Sequence, residues 1–312
     1  MSFSSKVKDE LSRQCPSGRH CQIAEIAAII SMCGRILISE KDEYTVKIHT
    51  ENITVARKYF TLLKKTYNID TEISLRRSSK MCLYTVIIRH HNDTMKVLRS
   101  SKLVDEYGEI CENLSVSDNL IIQKDCCKRA FIRGAFLAAG SISAPEKFYH
   151  FEIVCGTEDK AVQLQKIIQN FDIDAKIVER KKHFVVYIKE GAGIVDILNV
   201  MEAHVALMDL ENVRILKEMR NSVNRKVNCE TANLKKTVSA AVKQIEDIKF
   251  IRDTAGLSIL SEGLEEIAKL RLDNPDASLK ELGEMLTPTV GKSGVNHRLR
   301  KICEIADDLR RK

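Results

Sequence analysis

Tryptophan is absent from the 312 residues and only 5% are aromatic, so the hydrophobic cores must be built from Ile, Leu, Val and Ala. No run approaches roughly 18 uninterrupted apolar residues, which leaves no candidate membrane span. The opening stretch MSFSSKVKDELSRQ lacks a signal peptide's apolar centre, because acids and bases interrupt it. A cytoplasmic chain is therefore expected. The ten cysteines contain no C-x-x-C pair. Cys126 and Cys127 are adjacent, Cys15 and Cys21 are loosely spaced, and the others are scattered. Spacing along the chain therefore predicts buried, reduced thiols, with no metal and no cofactor.

What is present is ordinary for a soluble globular protein: 44% hydrophobic and 30% charged residues. The length suits roughly two or three domains. A formal charge of +7 and a pI near 8.8 permit an anionic partner such as nucleic acid without requiring one.

The chain repeats itself. A short amphipathic helix from Ser4, with Val7 and Leu11 on one face, precedes a nearly all-apolar helix over residues 22–33. Alternating runs RILIS and YTVKIHT predict a hairpin, residues 52–66 a helix, and TEISLRR with LYTVIIRH two more strands. Two short helices are expected up to about residue 112, then a polar connection over 114–122. The order then restarts with a buried helix over 125–139. SIS with YHFEIV forms a hairpin, 159–171 a helix, DAKIVER with FVVYIK a second hairpin, and 193–201 a helix. YTVKI from Tyr44 matches YHFEI from Tyr149, and LYTVII from Leu83 matches HFVVYI from His183. Residues up to about 205 thus read as two copies of one α-β-β-α-β-β-α unit.

Each copy holds one helix too apolar to face water, so pairing the two buries both. The second, RAFIRGAFLAAGSIS, crowds small residues at its end, where two backbones can approach closely. Duplication, unit order and these helix ends resemble the LAGLIDADG homing-endonuclease fold. In that family the residue before each helix-ending glycine is acidic and binds the catalytic metal. Here Cys33 precedes Gly34 and Ala139 precedes Gly140. A methyl group has no ligand atom, and a thiol is a soft ligand unsuited to Mg²⁺. The nearest other acids, Glu40, Asp42 and Glu146, lie beyond the turns. No catalytic residue is therefore assigned and a nuclease is disfavoured. Lys47, His49, Arg76, Lys176 and Arg180 lie on predicted strands, interspersed with Glu72, Glu152 and Glu179. This mixture suits plain solvation, a retained DNA groove or a protein-binding saddle.

Residues 206–223 are expected to form a helix, followed by a polar connection made by Asn224, Asn228 and Asn233 with Arg225, Lys226 and Lys235. A linker helix over 231–251 then carries Leu234, Val238, Ala241, Ile245 and Ile248 on one face. The C-terminal 57 residues, 256–312, read as a compact helical module. Ser261 is a candidate cap for its first helix. Ser278 and Glu281 form a capping box for the second. Ser293 is placed as the cap of the third, with Val295, Leu299 and Ile302 inward. Asn296, His297, Arg298, Arg300 and Lys301 are assigned to the outward face, with Lys292 and Ser293 at its start. No acid occurs between Glu284 and Glu304. Arg and Asn can bond to base edges in the major groove of double-stranded DNA. Lys292, the Ser293 hydroxyl and the helix N-terminus suit a phosphate. VGKSG lacks the P-loop's first glycine, since Leu286 stands in its place, and EGAG at 190–193 is too short for a nucleotide site.

SFSSKVKDEL, IRGAFLAAGSIS, VNCETANLKKTV and PDASLKELGEML…KSGVNHRLRKI together resemble the WhiA family of bacterial DNA-binding regulators. The expected fold class is α+β: a duplicated LAGLIDADG-like α-β-β-α-β-β-α domain followed by an all-α helix-turn-helix domain. The expected boundaries are 1–112 and 113–222 for the repeats, 223–255 for the linker helix and 256–312 for the helix-turn-helix. The resemblance implies a non-enzymatic DNA-binding protein at the nucleoid, a transcription regulator. Relatives act in sporulation with an iron–sulfur partner of the WhiB type, or in cell division and chromosome segregation. A protein-interaction scaffold and a residual metal nuclease are the alternatives.

Overall fold

The computed structural model describes residues 2–40, 43–77, 82–104, 109–110 and 119–311. They form two compact units, Met1–Lys217 and Glu218–Lys312. Among the described residues no helix is long and apolar enough to cross a membrane.

The first unit opens with α1 (Phe3–Arg13), capped by the Ser2 hydroxyl, which accepts from the Ser5 amide at 3.1 Å. The first repeat follows as α2 (Arg19–Cys33), β1 (Gly34–Ile38), β2 (Tyr44–Thr50), α3 (Ile53–Tyr67), β3 (Glu72–Arg77), β4 (Cys82–Ile88) and α4 (His91–Ser100). The second is α5 (Asp125–Ala139), β5 (Gly140–Ile142), β6 (Phe151–Cys155), α6 (Glu158–Gln169), β7 (Lys176–Arg180), β8 (His183–Ile188) and α7 (Gly191–Val200). A 3₁₀ turn at Asn119–Ile122 leads into the second repeat. Of the two short helices expected after β4, α4 is the one seen among the described residues. Its surroundings are a turn and a bridge between Val104 and Ile110, and residues 105–108 and 111–118 lie outside the described set. The turn acid Asp42 and the loop 78–80 also lie outside it.

Both sheets are antiparallel with one topology, β1-β2-β4-β3 and β5-β6-β8-β7. Their registers coincide: Val46 pairs with Ile88, and Phe151 with Ile188, at the positions the repeat alignment equates. Alternation decides which face is buried. Val46, Ile48, Val86 and Ile88 turn inward in one sheet, and Phe151, Ile153, Val186 and Ile188 in the other.

The central contact of the unit is α2 against α5. A Cβ on Gly134 would fall 2.6 Å from the Glu25 carbonyl oxygen and 3.0 Å from the Ala28 Cβ. Only glycine permits this approach, and position ten of one helix meets position ten of the other. Beside it the buried Glu25 carboxylate lies 3.1 Å from Lys58 Nζ and 3.4 Å from Arg133 Nε. Arg133 also reaches Glu202 at 2.7 Å and donates to the Met201 carbonyl. Lys58 further donates to the Gln14 carbonyl. This charged knot ties α1, α2, α3 and α5 together inside an otherwise apolar core.

The polar stretch 224–228, expected to be a connection, is helical. A single helix, α8, runs from His204 to Thr254. The reason lies in the residues: no Gly or Pro occurs within it, and Asn, Arg and Lys tolerate helix interiors. Leu234 and Val238 are exposed, whereas Ile248 and Ile251 enter the second unit's core. That core is completed by α9 (Glu262–Asp273), α10 (Leu279–Glu284) and α11 (Lys292–Arg311), after a 3₁₀ turn at Leu257–Ile259.

Candidate nucleic-acid interface

The seam where the nuclease fold places its metal-binding acids holds other chemistry here. The Cys33 thiol donates to the Ile29 carbonyl at 3.3 Å. Burial pushes it up to about 12, against the opposing pull of Lys8 and Lys160, so it stays a neutral thiol. Ala139 contributes a half-buried methyl. Lys160 bonds to the Ser31 carbonyl in the last turn of α2, and burial lowers the pKa of both Lys8 and Lys160. The charged side chains acting on Cys33 are these two lysines and no carboxylate, an arrangement that does not favour a divalent metal. Glu40 and Glu146 are exposed beyond the turns.

Strand register gathers Arg35, Lys47, His49 and Arg76 on the sheet face opposite the helices, together with Glu72. The second sheet presents Lys176, Arg180 and Glu152 on its matching face. Glu152 accepts from Ser141 at 3.0 Å and lies 3.0 Å from His150 Nε2 and 3.2 Å from Arg180. Burial pushes its carboxyl up, but the hydrogen bonds from His150 and Ser141 and the charges of His150 and Arg180 outweigh this and hold it low. Glu179 sits on the other face, paired with Phe184. The first sheet also leaves Leu37, Ile38, Ile73 and Leu75 exposed.

The second unit assembles a helix-turn-helix from capping and close packing. Ser278 and Glu281 form the expected reciprocal capping box at the start of α10. Gly283 then lets the chain fold back: the Val290 amide donates to its carbonyl at 3.0 Å, and a Cβ there would meet the Val290 oxygen at 2.0 Å. The following helix, α11, buries Val295, Leu299, Ile302 and Ala306. Arg271 fastens α9 to the segment ahead of α10 by donating to the Ala277 carbonyl at 2.6 Å, and it reaches Gln244 of α8 at 3.1 Å.

Two details of α11 differ from expectation. Ser293 lies inside the first turn, and the Val295 amide is capped by the Gly291 carbonyl at 3.1 Å. Arg298 is half-buried rather than outward: Nη1 donates to the Gly263 carbonyl at 3.4 Å, and the guanidinium lies over that glycine's bare backbone. Its i+3/i+4 spacing from Val295 and Ile302 brings it to the rim of the apolar stripe, close to α9. Lys292, Ser293, Asn296, His297, Arg300 and Lys301 are exposed. Arg300 pairs with Glu304 at 3.5 Å, between two exposed side chains.

Family comparisons agree with this architecture over nearly the whole chain. The WhiA N-terminal LAGLIDADG-like domain matches residues 19–104, the WhiA LAGLIDADG-like domain 128–220, and the WhiA C-terminal HTH domain 223–306. The chain belongs to the WhiA family. A probable cell division protein WhiA from Lachnoclostridium phytofermentans is 56% identical, with 99% of this chain and 100% of the relative covered. Another from Lachnospira eligens is 51% identical, with 99% and 98% covered. The crystal structure of full-length DUF199/WhiA from Thermatoga maritima covers 99% of both chains at 24% identity, with a TM-score of 0.62, a likeness of fold. The WhiA HTH match begins inside α8 and takes in that helix from Val223 onward.

Chain spacing missed one constellation. His20 and Cys21 lie in the first turn of α2, and Cys126 and Cys127 in the first turn of α5. Pairing of the two helices brings their donor atoms within 4.8 Å of one another. Chain spacing predicts scattered, buried thiols; here Cys21, Cys126 and Cys127 are gathered with His20, and Cys126 is exposed. The two pairs are separated by more than a hundred positions, so no local motif could reveal them. Burial, with the neighbouring Cys126 and Cys127, pushes the Cys21 thiol up to about 12.

Proposed function

We propose that this WhiA-family protein is a non-enzymatic, sequence-specific DNA-binding regulator of cell division, with α11 in the major groove. The observation that carries the reading is the division of α11 into two faces. Val295, Leu299 and Ile302 are buried, while Lys292, Ser293, Asn296, His297, Arg300 and Lys301 face solvent. Asn296 and Arg300 have the side chains for base edges, and Lys292, Ser293 and Lys301 for phosphates. Arg298 is assigned to holding α11 on α9. The relatives' name, probable cell division protein, supports the cellular role, and transcription control of division or chromosome-segregation genes is its concrete form. Attraction to duplex DNA would place the protein at the nucleoid.

The non-enzymatic part rests on the thiol and methyl at the acid positions and on Lys8 and Lys160 beside them. Incubating pure protein with supercoiled DNA and Mg²⁺ or Mn²⁺ should leave the DNA uncut, and cutting that depends on Cys33 would overturn this. For the DNA reading, full-length protein is titrated on genomic fragments that it enriches. Unchanged affinity after Asn296→Ala combined with Arg300→Ala and Lys301→Ala would sink it.

A second reading, a protein-interaction scaffold, is favoured by exposed apolar side chains on both faces of the first sheet: Leu37 on the face opposite the helices, and Ile38, Ile73 and Leu75 on the other. Apolar side chains there suit a protein better than a phosphate backbone. A WhiB-type iron–sulfur protein belongs to this reading. Loss of pull-down after Ile73→Lys together with Leu75→Lys tests it.

A further inference from the structure

We propose that His20, Cys21, Cys126 and Cys127 form a structural zinc site that pins together the N-terminal ends of the two central helices. His20 Nδ1 lies 3.1 Å from Cys127 Sγ, 3.2 Å from Cys21 Sγ and 4.0 Å from Cys126 Sγ. All four donor atoms fall within 4.8 Å of one another. Zinc bonds of about 2.3 Å to sulfur and about 2.0 Å to nitrogen give tetrahedral edges of roughly 3.5–3.8 Å. The donor separations bracket that spacing, three of them at 3.1, 3.2 and 4.0 Å and none beyond 4.8 Å, so side-chain rotations can close them on an ion.

The donor chemistry selects the ion. Three thiols and one imidazole form a soft set that suits zinc and excludes Mg²⁺ and Ca²⁺. Four protein ligands leave no open position, which is the pattern of a structural centre. Cys21 and Cys127 are buried while His20 and Cys126 are exposed, so the ion would enter from solvent and finish against the core. Three thiolates and a neutral imidazole around Zn²⁺ carry one net negative charge. Two helix N-termini converge on it, and Lys124 lies beside Cys127. Both features favour an anionic complex.

Position is the second argument. His20 and Cys126 are both second residues of fifteen-residue helices, and Cys21 and Cys127 both third. The ligands are therefore equivalent in the two repeats, and the site lies where the helices begin. The seam at Cys33 and Ala139 lies where they end. The zinc site is thus distinct from the nuclease fold's metal position.

The test uses full-length protein purified under reducing conditions without chelator. Elemental analysis should find about one zinc per chain. Co²⁺ replacement should give thiolate-to-cobalt charge transfer and tetrahedral ligand-field bands. His20→Ala and Cys126→Ser remove exposed ligands and should preserve the circular-dichroism spectrum. Each should weaken zinc binding, measured against a chromophoric chelator, by roughly 100-fold or more. A chelator should lower the Tm of the parent protein and leave that of the two variants unmoved. Zinc far below one per chain after loading would overturn the proposal. So would affinity unchanged in both variants, or a disulfide among these cysteines in freshly prepared reduced protein.

Discussion

The carbonyl oxygen of Glu25 occupies the space in which Gly134 would otherwise carry a side chain, 2.6 Å from an ideal Cβ. The two repeats are therefore joined by backbone against backbone at their central helices. Gly134→Ala should destabilise the protein by about 1–3 kcal/mol in urea unfolding, as overpacking does. Helix propensity alone would push the other way, by about 1 kcal/mol. A stabilised variant would disprove the close contact.

The charged knot beside this contact makes a second prediction. Glu25→Gln leaves Lys58 and Arg133 buried with a weakened counter-charge, although Arg133 keeps Glu202. A loss of about 3 kcal/mol is expected from thermal or chemical denaturation. Removing the exposed Arg13–Asp9 pair should cost far less, under about 1 kcal/mol.

On α11 the side chains should separate by type. Lys292→Ala and Lys301→Ala should weaken binding evenly across DNA sequences and each reduce the salt slope by about 1. Asn296→Ala and Arg300→Ala should cost about 1–3 kcal/mol on the preferred site and relax its sequence preference. Fluorescence anisotropy at several salt concentrations distinguishes the two outcomes.

Arg298→Ala should behave differently from its neighbours. Its hydrogen bond to Gly263 is worth about 1 kcal/mol, so the second unit's unfolding should move to lower temperature. Calorimetry or circular dichroism without DNA reads this effect. Loss of DNA binding at unchanged stability would return Arg298 to the reading surface.

Glu152 offers a pH test. Its folded pKa is below the ordinary value, so its contribution to stability is present above about pH 4.3 and fades as pH falls through the folded value. Carboxyl NMR should show Glu152 titrating at lower pH than exposed glutamates. Arg180→Ala should move the titration upward.

Local pattern alone carried much of the fold. Alternation in YTVKIHT and FVVYIK placed β2 and β8, the apolar runs placed α2 and α5, and Ser278 with Glu281 placed the start of α10. These depend on contacts between residues a few positions apart, which spacing reveals. The stretch between Val223 and Thr231 is helical against that local pattern. Polar composition suggested a connection, but helix continuity needs only the absence of a breaker.

The sequence by itself determined the duplication, the thiol and methyl of Cys33 and Ala139 ahead of the two helix-ending glycines, and the cationic character of α11. Only tertiary structure decided what those residues meet. It turned Arg298 onto Gly263, set Lys8 and Lys160 near Cys33, and brought His20 and Cys21 to Cys126 and Cys127. The physical reason is distance along the chain. Pairing α2 with α5 joins groups over a hundred residues apart, and no local periodicity records which ends of two helices will touch.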